Sequence, residues 1–259
     1  TYVMGILNVT PDSFSDGGSY NQLDLALKRV EEMMAQGADI IDVGGESTRP
    51  GYTKISDEEE IERTVPVVEA IVSRFDVPVS VDTYKSKVAE ANLAAGAHLL
   101  NDIWGLKADD KMAGVIAKYD AACCLMHNRN EADYKNFMED MKNDLRETLR
   151  LAKEAGIRED GIMTDPGVGF GKTYENNLEA IQCVGELNEL GYPVLLGTSR
   201  KSVIGLTLDV PAKERDTATA VTSAYAVWAH CGFVRVHNVR ANAEAIKMAE
   251  AIRDGGLHG

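Results

Sequence analysis

Eight short apolar runs in this chain each hand over to residues that can bond or carry charge. They are Asn8, the Gly44-Gly45-Glu46 turn, Asp82, Asn101 with Asp102, His127, Asp165, Ser199-Arg200-Lys201, and Arg235 with His237. Each position alone has a plain explanation, because a strand emerging into solvent ends on a polar residue. The signal is that all eight do so. Two loops add to the set. Asn8-Val9-Thr10-Pro11-Asp12-Ser13-Phe14-Ser15-Asp16-Gly17-Gly18 is long for a connection and mixes turn formers, acids and an aromatic, a composition typical of a functional lid. Gly44-Gly45-Glu46-Ser47-Thr48-Arg49-Pro50-Gly51 offers hydroxyls and a guanidinium on a glycine-flanked frame. Such a guanidinium can grip a carboxylate or phosphate bidentately, against the plainer reading of a solvated surface arginine.

Several familiar chemistries are absent. Gly171-Lys172-Thr173 resembles the end of a phosphate loop, but the first glycine of that motif would fall on Pro166. The glycines at 167, 169 and 171 lack the third glycine of a dinucleotide fingerprint, because Lys172 stands there. The cysteines at 123, 124, 183 and 231 contain no C-x-x-C pair, and no two histidines lie four apart, so a structural zinc site has no support.

The elements that must position these groups recur in one pattern: an amphipathic helix, a glycine stop, a short apolar strand and a polar loop. A helix beginning near Asn21 places Leu23, Ala26, Leu27, Val30, Met33 and Met34 on one face before Gly37. Another opens with Ser56-Asp57-Glu58-Glu59, a capping-box pattern, and is expected to bury Ile61, Val65, Val68 and Val72. Glycines at 96, 191 and 232 mark the same junction, where a left-handed residue commonly ends a helix. Strands are expected at residues 3–8, 40–43, 79–82, 99–102, 121–126, 162–165, 193–197 and 233–237. Eight short parallel strands alternating with helices specify an α/β protein, a single (β/α)8 TIM barrel domain over residues 1–259, with an open doubly wound sheet as the alternative. A barrel gathers strand ends, and hence the polar groups above, at one rim.

Composition narrows the partners. A formal charge of −14 and a pI near 4.8 disfavour nucleic acid and anionic membranes, which need a basic footprint. An anionic small substrate stays possible if basic groups converge. No apolar run is long enough to span a membrane, and the opening residues carry no basic, cleavable leader. Adjacent Cys123 and Cys124 would form a badly strained bond, so the cysteines are expected to be buried thiols and the protein cytoplasmic.

The two loops, together with Ser80-Val81-Asp82-Thr83, Asn101-Asp102-Ile103, Asp165-Pro166-Gly167-Val168-Gly169-Phe170, Gly197-Thr198-Ser199-Arg200-Lys201-Ser202 and Arg235-Val236-His237, form an ordered series from residue 4 to about 250. In that order and wording the chain resembles the dihydropteroate synthases. The resemblance implies a magnesium-assisted condensation of 6-hydroxymethyl-7,8-dihydropterin pyrophosphate with p-aminobenzoate, in a homodimer that sulfonamides would inhibit by mimicking p-aminobenzoate.

It also implies roles. Asp82, Asn101, Asp165, Gly197 and Lys201 would bind the pterin edge, with Ile103, Met126 and Phe170 flanking its ring. Asn8, Arg235 and His237 would hold the pyrophosphate, Asn8 also bearing Mg2+. Phe14, Thr48, Arg49, Pro50, Lys201 and Ser202 would position p-aminobenzoate. Asp82, Asp16 and Lys201 would serve catalysis. Trp104, Thr164, Thr198 and Asn238 depart from the commonest family wording, which touches the back wall of the pterin pocket and its surroundings. Two other functions fit part of the pattern: a methyl transfer from methyltetrahydrofolate to a corrinoid, which needs no pyrophosphate site, and pterin binding without turnover.

Overall fold

In the computed structural model the described residues are 1–10, 19–46 and 54–255. They contain eight parallel strands: β1 (Tyr2–Asn8), β2 (Ile40–Gly44), β3 (Val79–Asp82), β4 (Leu99–Asp102), β5 (Ala122–Met126), β6 (Ile162–Asp165), β7 (Leu195–Leu196) and β8 (Phe233–Val236). Hydrogen bonding runs in the order β6, β5, β4, β3, β2, β1, β8, β7. A bridge between Thr164 and Val194, with the Thr164 N–H donating to Pro193 O at 2.9 Å, joins the two ends. The sheet therefore closes into the expected barrel. Helices α1 (Ser19–Ala35), α2 (Asp57–Arg74), α3 (Ser86–Ala94), α4 (Met112–Lys118), α5 (Phe137–Glu154), α6 (Tyr174–Gln182), α7 (Ser202–Leu208), α8 (Asp216–Trp228) and α9 (Val239–Arg253) accompany it.

Alternation along the strands divides the core in two. Val3, Ile41, Val79, Leu100, Cys123, Ile162, Val194 and Val234 belong to a large cluster shared with helix residues such as Val30, Met33 and Ile71. Met4, Ile40, Leu99, Cys124, Met163 and Leu195 form a second, smaller cluster, the plug of the barrel. Successive strand side chains point to opposite faces, so the residue two positions beyond each plug residue also points inward. Those positions hold Ile6, Asp42, Asn101, Met126, Asp165 and Gly197. Phe233, packed against the plug, is likewise followed by Arg235. The plug layer is thus mainly apolar, and the layer above it gathers Asp42, Asn101, Asp165 and Arg235.

Three local expectations need correction. The buried stripe of α2 is Glu60, Thr64, Val67, Val68 and Ile71, and Ile61, Val65 and Val72 are only half-buried. Polar Glu60 and Thr64 face inward because Lys85 donates to Glu60 and Asn92 to Thr64. At the start of α2, Ser56 accepts from the Glu59 N–H at 3.1 Å, while the Glu59 carboxylate pairs with Arg63 instead of completing the box. The reciprocal box occurs at Thr173 and Asn176 of α6. Gly37, Gly96 and Gly191 are left-handed as expected, but before β8 that role falls to His230, with φ of 58°, and not to Gly232.

Candidate active site

Arg235, near the end of β8, lies across the barrel mouth. Its Nε donates to Asp42 Oδ2 and its Nη2 to Asp82 Oδ2, each at 2.6 Å. Asn101 Nδ2 reaches the same Asp42 oxygen at 3.4 Å. Strands β2, β3, β4 and β8 thereby meet through side chains. Burial pushes the Asp82 carboxyl up to about 7; Arg235 opposes this, and Asp42 and Glu60 add to it. For Arg235 the two carboxylates outweigh burial and hold the guanidinium above its ordinary range. The second oxygens, Asp42 Oδ1 and Asp82 Oδ1, are buried and accept no hydrogen bond among the described residues. Burying an acceptor without a partner is costly, so these two oxygens are suited to accept N–H groups of a ligand.

The other half of the site is built on β6 and β7. Asp165 is also inward and buried, and its Oδ1 accepts from the Gly167 N–H at 2.6 Å. Burial raises its pKa, with Lys201 as the strongest opposing influence. Lys201 donates to Val168 O and stands 5.0 Å from the centroid of the Phe170 ring. Burial lowers this ammonium to about 8, Asp165 pulling it back. Gly197 separates the two halves: a Cβ there would lie 3.6 Å from Asp165 Oδ2 and 3.8 Å from Arg235 Cβ. Met126 pairs in register with Asp165, and both Met126 and Ile103 are buried at this level.

Asn8 ends β1 opposite Gly44, where a Cβ would meet Asn8 Oδ1 at 3.7 Å and Asp82 Oδ2 at 3.9 Å. His237, just past β8, has its Nδ1 2.8 Å from Ser199 Oγ, and its own N–H donates to that hydroxyl at 3.1 Å. Ser202 is exposed as the first residue of α7. Asn8, Asp82, Asn101, Asp165, Gly197, Lys201 and Arg235 are therefore assembled in one place. Phe14, Asp16, Thr48, Arg49 and Pro50 lie outside the described residues.

Not every strand-end group joins this centre. Asp102 has the outward parity and accepts from the N–H groups of Trp104 and Leu106 at 2.8 and 2.7 Å, closing its own turn. His127, expected at the rim, is buried and its Nε2 lies 3.0 Å from Asp144 Oδ2 on α5. Arg200 pairs with Asp216 through two contacts of 2.6 and 2.8 Å. The unusual residues find local partners: Thr198 Oγ1 sits 2.6 Å from Thr222 Oγ1, and Asn238 caps α9 while donating to Asp216. Thr164 does not, since its buried hydroxyl has no partner among the described residues.

Sequence reasoning missed Asp42 as a site residue, although an acid inside Ile40-Ile41-Asp42-Val43 is a visible anomaly in an apolar strand. It also gave Ser199 no role and dismissed Lys172 along with the failed phosphate motif.

A magnesium ion fits this donor set in one way. Among the described residues no three His, Cys, Asp or Glu side chains are grouped to hold a metal. A hard cation that keeps most of its waters needs only one or two protein oxygens when phosphate supplies the rest, and Asn8 Oδ1 is such an oxygen.

The sequence model of the pterin binding enzyme family matches residues 4–237. A dihydropteroate synthase of Clostridium beijerinckii is 59% identical over 253 residues, covering 97% of this chain and 94% of the relative. The chain belongs to the dihydropteroate synthase family. The Bacillus subtilis dihydropteroate synthase is 51% identical, over 100% of this chain and 91% of its own length. Among solved structures, the Clostridium difficile dihydropteroate synthase in the presence of pteroic acid superposes with a TM-score of 0.95 at 49% identity, covering 97% of this chain and 96% of that one. The Xanthomonas albilineans synthase with 4-aminobenzoic acid gives 0.92 at 38% identity, covering 97% and 93%.

Proposed function

We propose that this chain condenses 6-hydroxymethyl-7,8-dihydropterin pyrophosphate with p-aminobenzoate to give 7,8-dihydropteroate and pyrophosphate. The observation that carries the reading is the inward polar layer, in which Asp42, Asp82, Asn101 and Asp165 surround one guanidinium and one ammonium. A pterin edge presents amide and amino N–H groups beside ring acceptors. The open carboxylate oxygens of Asp82 and Asp42, the buried Asp165 and the Asn101 amide match it. Ile103, Met126 and Phe170 supply apolar walls for the ring.

The reaction breaks the bond between the methylene carbon and the pyrophosphate oxygen, which leaves with the electron pair. Positive charge develops on the methylene and spreads into the electron-rich dihydropterin. Asp82, anionic beside it, stabilises that charge, and the charge in turn lowers the raised pKa of the carboxyl. Arg235 and His237 take the departing anion, His237 being oriented by Ser199. Mg2+, held by Asn8, would neutralise pyrophosphate charge. The p-aminobenzoate nitrogen then bonds to the methylene and sheds one N–H proton to the released pyrophosphate or to solvent, the amine being positioned by Lys201, Ser202 and the loop residues Phe14, Thr48, Arg49 and Pro50, with Asp16 adding negative charge.

The proposal includes a homodimer. Leu178, Leu206, Leu208, Val221, Tyr225 and Trp228 are exposed on α6, α7 and α8. Hydrogen bonds between Tyr174 and Thr207 and from Tyr225 to Gln182 O link these helices into one face. It also includes a cytoplasmic location, which the four unpaired thiols support. No helix among the described residues is long and apolar enough to cross a membrane. A sulfonamide complex is known for the Yersinia pestis synthase, 41% identical, and competition by sulfonamides is expected here.

The test is magnesium-dependent pyrophosphate release with both substrates. Asp165→Ala should raise the pterin KM, and Arg235→Ala should depress turnover. Absence of release from well-folded protein would instead support pterin binding without catalysis.

A further inference from the structure

A second ammonium reaches the Asp165 loop. Lys172, at the end of the β6–α6 connection, donates to Phe170 O at 3.0 Å and places its Nζ 2.9 Å from His127 Nδ1. His127 Nε2 lies 3.0 Å from Asp144 Oδ2, which also accepts from Arg129 Nε at 2.6 Å. Arg129 stacks 4.5 Å from the centroid of Tyr134, and the Tyr134 hydroxyl donates to Gly171 O at 2.8 Å. Gly171 precedes Lys172, so the contacts form a closed circuit.

The circuit sets a tautomer. Burial lowers His127 to about 4, so at neutral pH the ring carries one proton. Asp144 requires that proton on Nε2, which leaves Nδ1 to accept from Lys172. The ammonium is thereby aimed from both sides.

Bracing the two loops does not need a charge. The loops already meet backbone to backbone, since a Cβ on left-handed Gly167 would fall 1.9 Å from His127 O and one on Gly171 would fall 2.3 Å from Arg129 O. Burying an ammonium is costly, and burial lowers Lys172 to about 7. Charged groups face it from every neighbouring element: Asp165 on β6, Lys201 before α7, Arg129 after β5 and Asp144 on α5. Gly167, whose N–H donates to Asp165 Oδ1, sets the distance between Lys172 and Asp165: a Cβ there would lie 3.3 Å from Lys172 Nζ, so Lys172 joins Lys201 in bearing on Asp165.

We propose that Lys172 is a positioning residue of the pterin subsite, acting through Asp165: aimed by His127 and Asp144, it fixes the Phe170 carbonyl and keeps Asp165 an anionic acceptor. The inference rests on the assignment of Asp165 to the pterin.

Binding of 6-hydroxymethylpterin to the full chain, measured by calorimetry at pH 6 and pH 9, tests it. Lys172→Met should weaken binding about tenfold at pH 6, one pKa unit of lost charge interaction. At pH 9 wild-type Lys172 is neutral, and the two proteins should converge. The KM for p-aminobenzoate should stay unchanged. Asp144→Asn, on a partly exposed helix position, should give the same pH pattern with a smaller loss, and it decides the matter if Lys172→Met does not fold. A loss equal at both pH values, a parallel rise in both KM values, or no loss overturns the proposal. Asp165→Asn separates the two readings: intact pterin binding there removes the pocket assignment, whereas loss there without loss in Lys172→Met removes only the role of Lys172.

Discussion

Replacing Arg235 with Met removes the guanidinium from between Asp42 and Asp82 while keeping an unbranched stem in its place. Two contacts of 2.6 Å vanish, and two buried carboxylates face each other without a cation. Removing one partner of a buried pair costs about 3–5 kcal/mol when the other must stay charged. Asp82 has an escape, because burial already pushes it up to about 7, far above an ordinary carboxyl near ~4. Between those values the folded protein binds more protons than the unfolded chain, so stability falls as pH rises through that window and, for this group, levels off above it. Without Arg235 the main opposing influence is gone, the folded pKa climbs past 7, and the falling window extends into alkaline pH. The slope is about 1.4 kcal/mol per pH unit for one proton, giving about 2 kcal/mol between pH 7 and 8.5. For a chain of this size that is about 4–8 °C in Tm. Differential scanning calorimetry of both proteins at pH 6 and 8.5 reads it, and the difference between proteins cancels groups indifferent to Arg235. The Tm gap should be wider at pH 8.5. An equal or narrower gap there would refute the claim that Arg235 holds Asp82 ionised.

Four further outcomes follow from the structure. Thr164→Val replaces a buried hydroxyl that has no partner among the described residues with a methyl of similar shape, and should raise Tm by about 2–4 °C, roughly 1 kcal/mol, in thermal melts. Gly167→Ala, at φ of 68° against the His127 carbonyl, should cost more than about 4 kcal/mol in urea unfolding. Gly156→Ala, at φ of 81° with open space around it, should cost only about 1 kcal/mol. Leu206→Glu with Trp228→Glu should convert the proposed dimer to a monomer in sedimentation, with the far-ultraviolet circular dichroism retained.

The sequence by itself determined the number and order of strands, the helices between them and most groups that meet at the rim. Those features are local: apolar runs of four to six residues, glycine stops and the polar residue at each strand end. Parity inside the strands carried more than was read. Asp42 shares its face with Ile40, and Arg235 with Phe233, so their inward direction was written in a period of two once closure into a barrel was accepted. Only the tertiary structure decided which strand ends served chemistry and which served the scaffold. Asp102 and His127 stand at strand ends as Asp165 does, yet one closes its own turn and the other meets α5. The pairing of Arg235 with Asp82 spans 153 residues, and no local pattern records a contact between side chains that distant in the chain. The pKa shifts of Asp82, Lys172 and Lys201 come chiefly from burial, a property of the closed barrel mouth and not of any one segment.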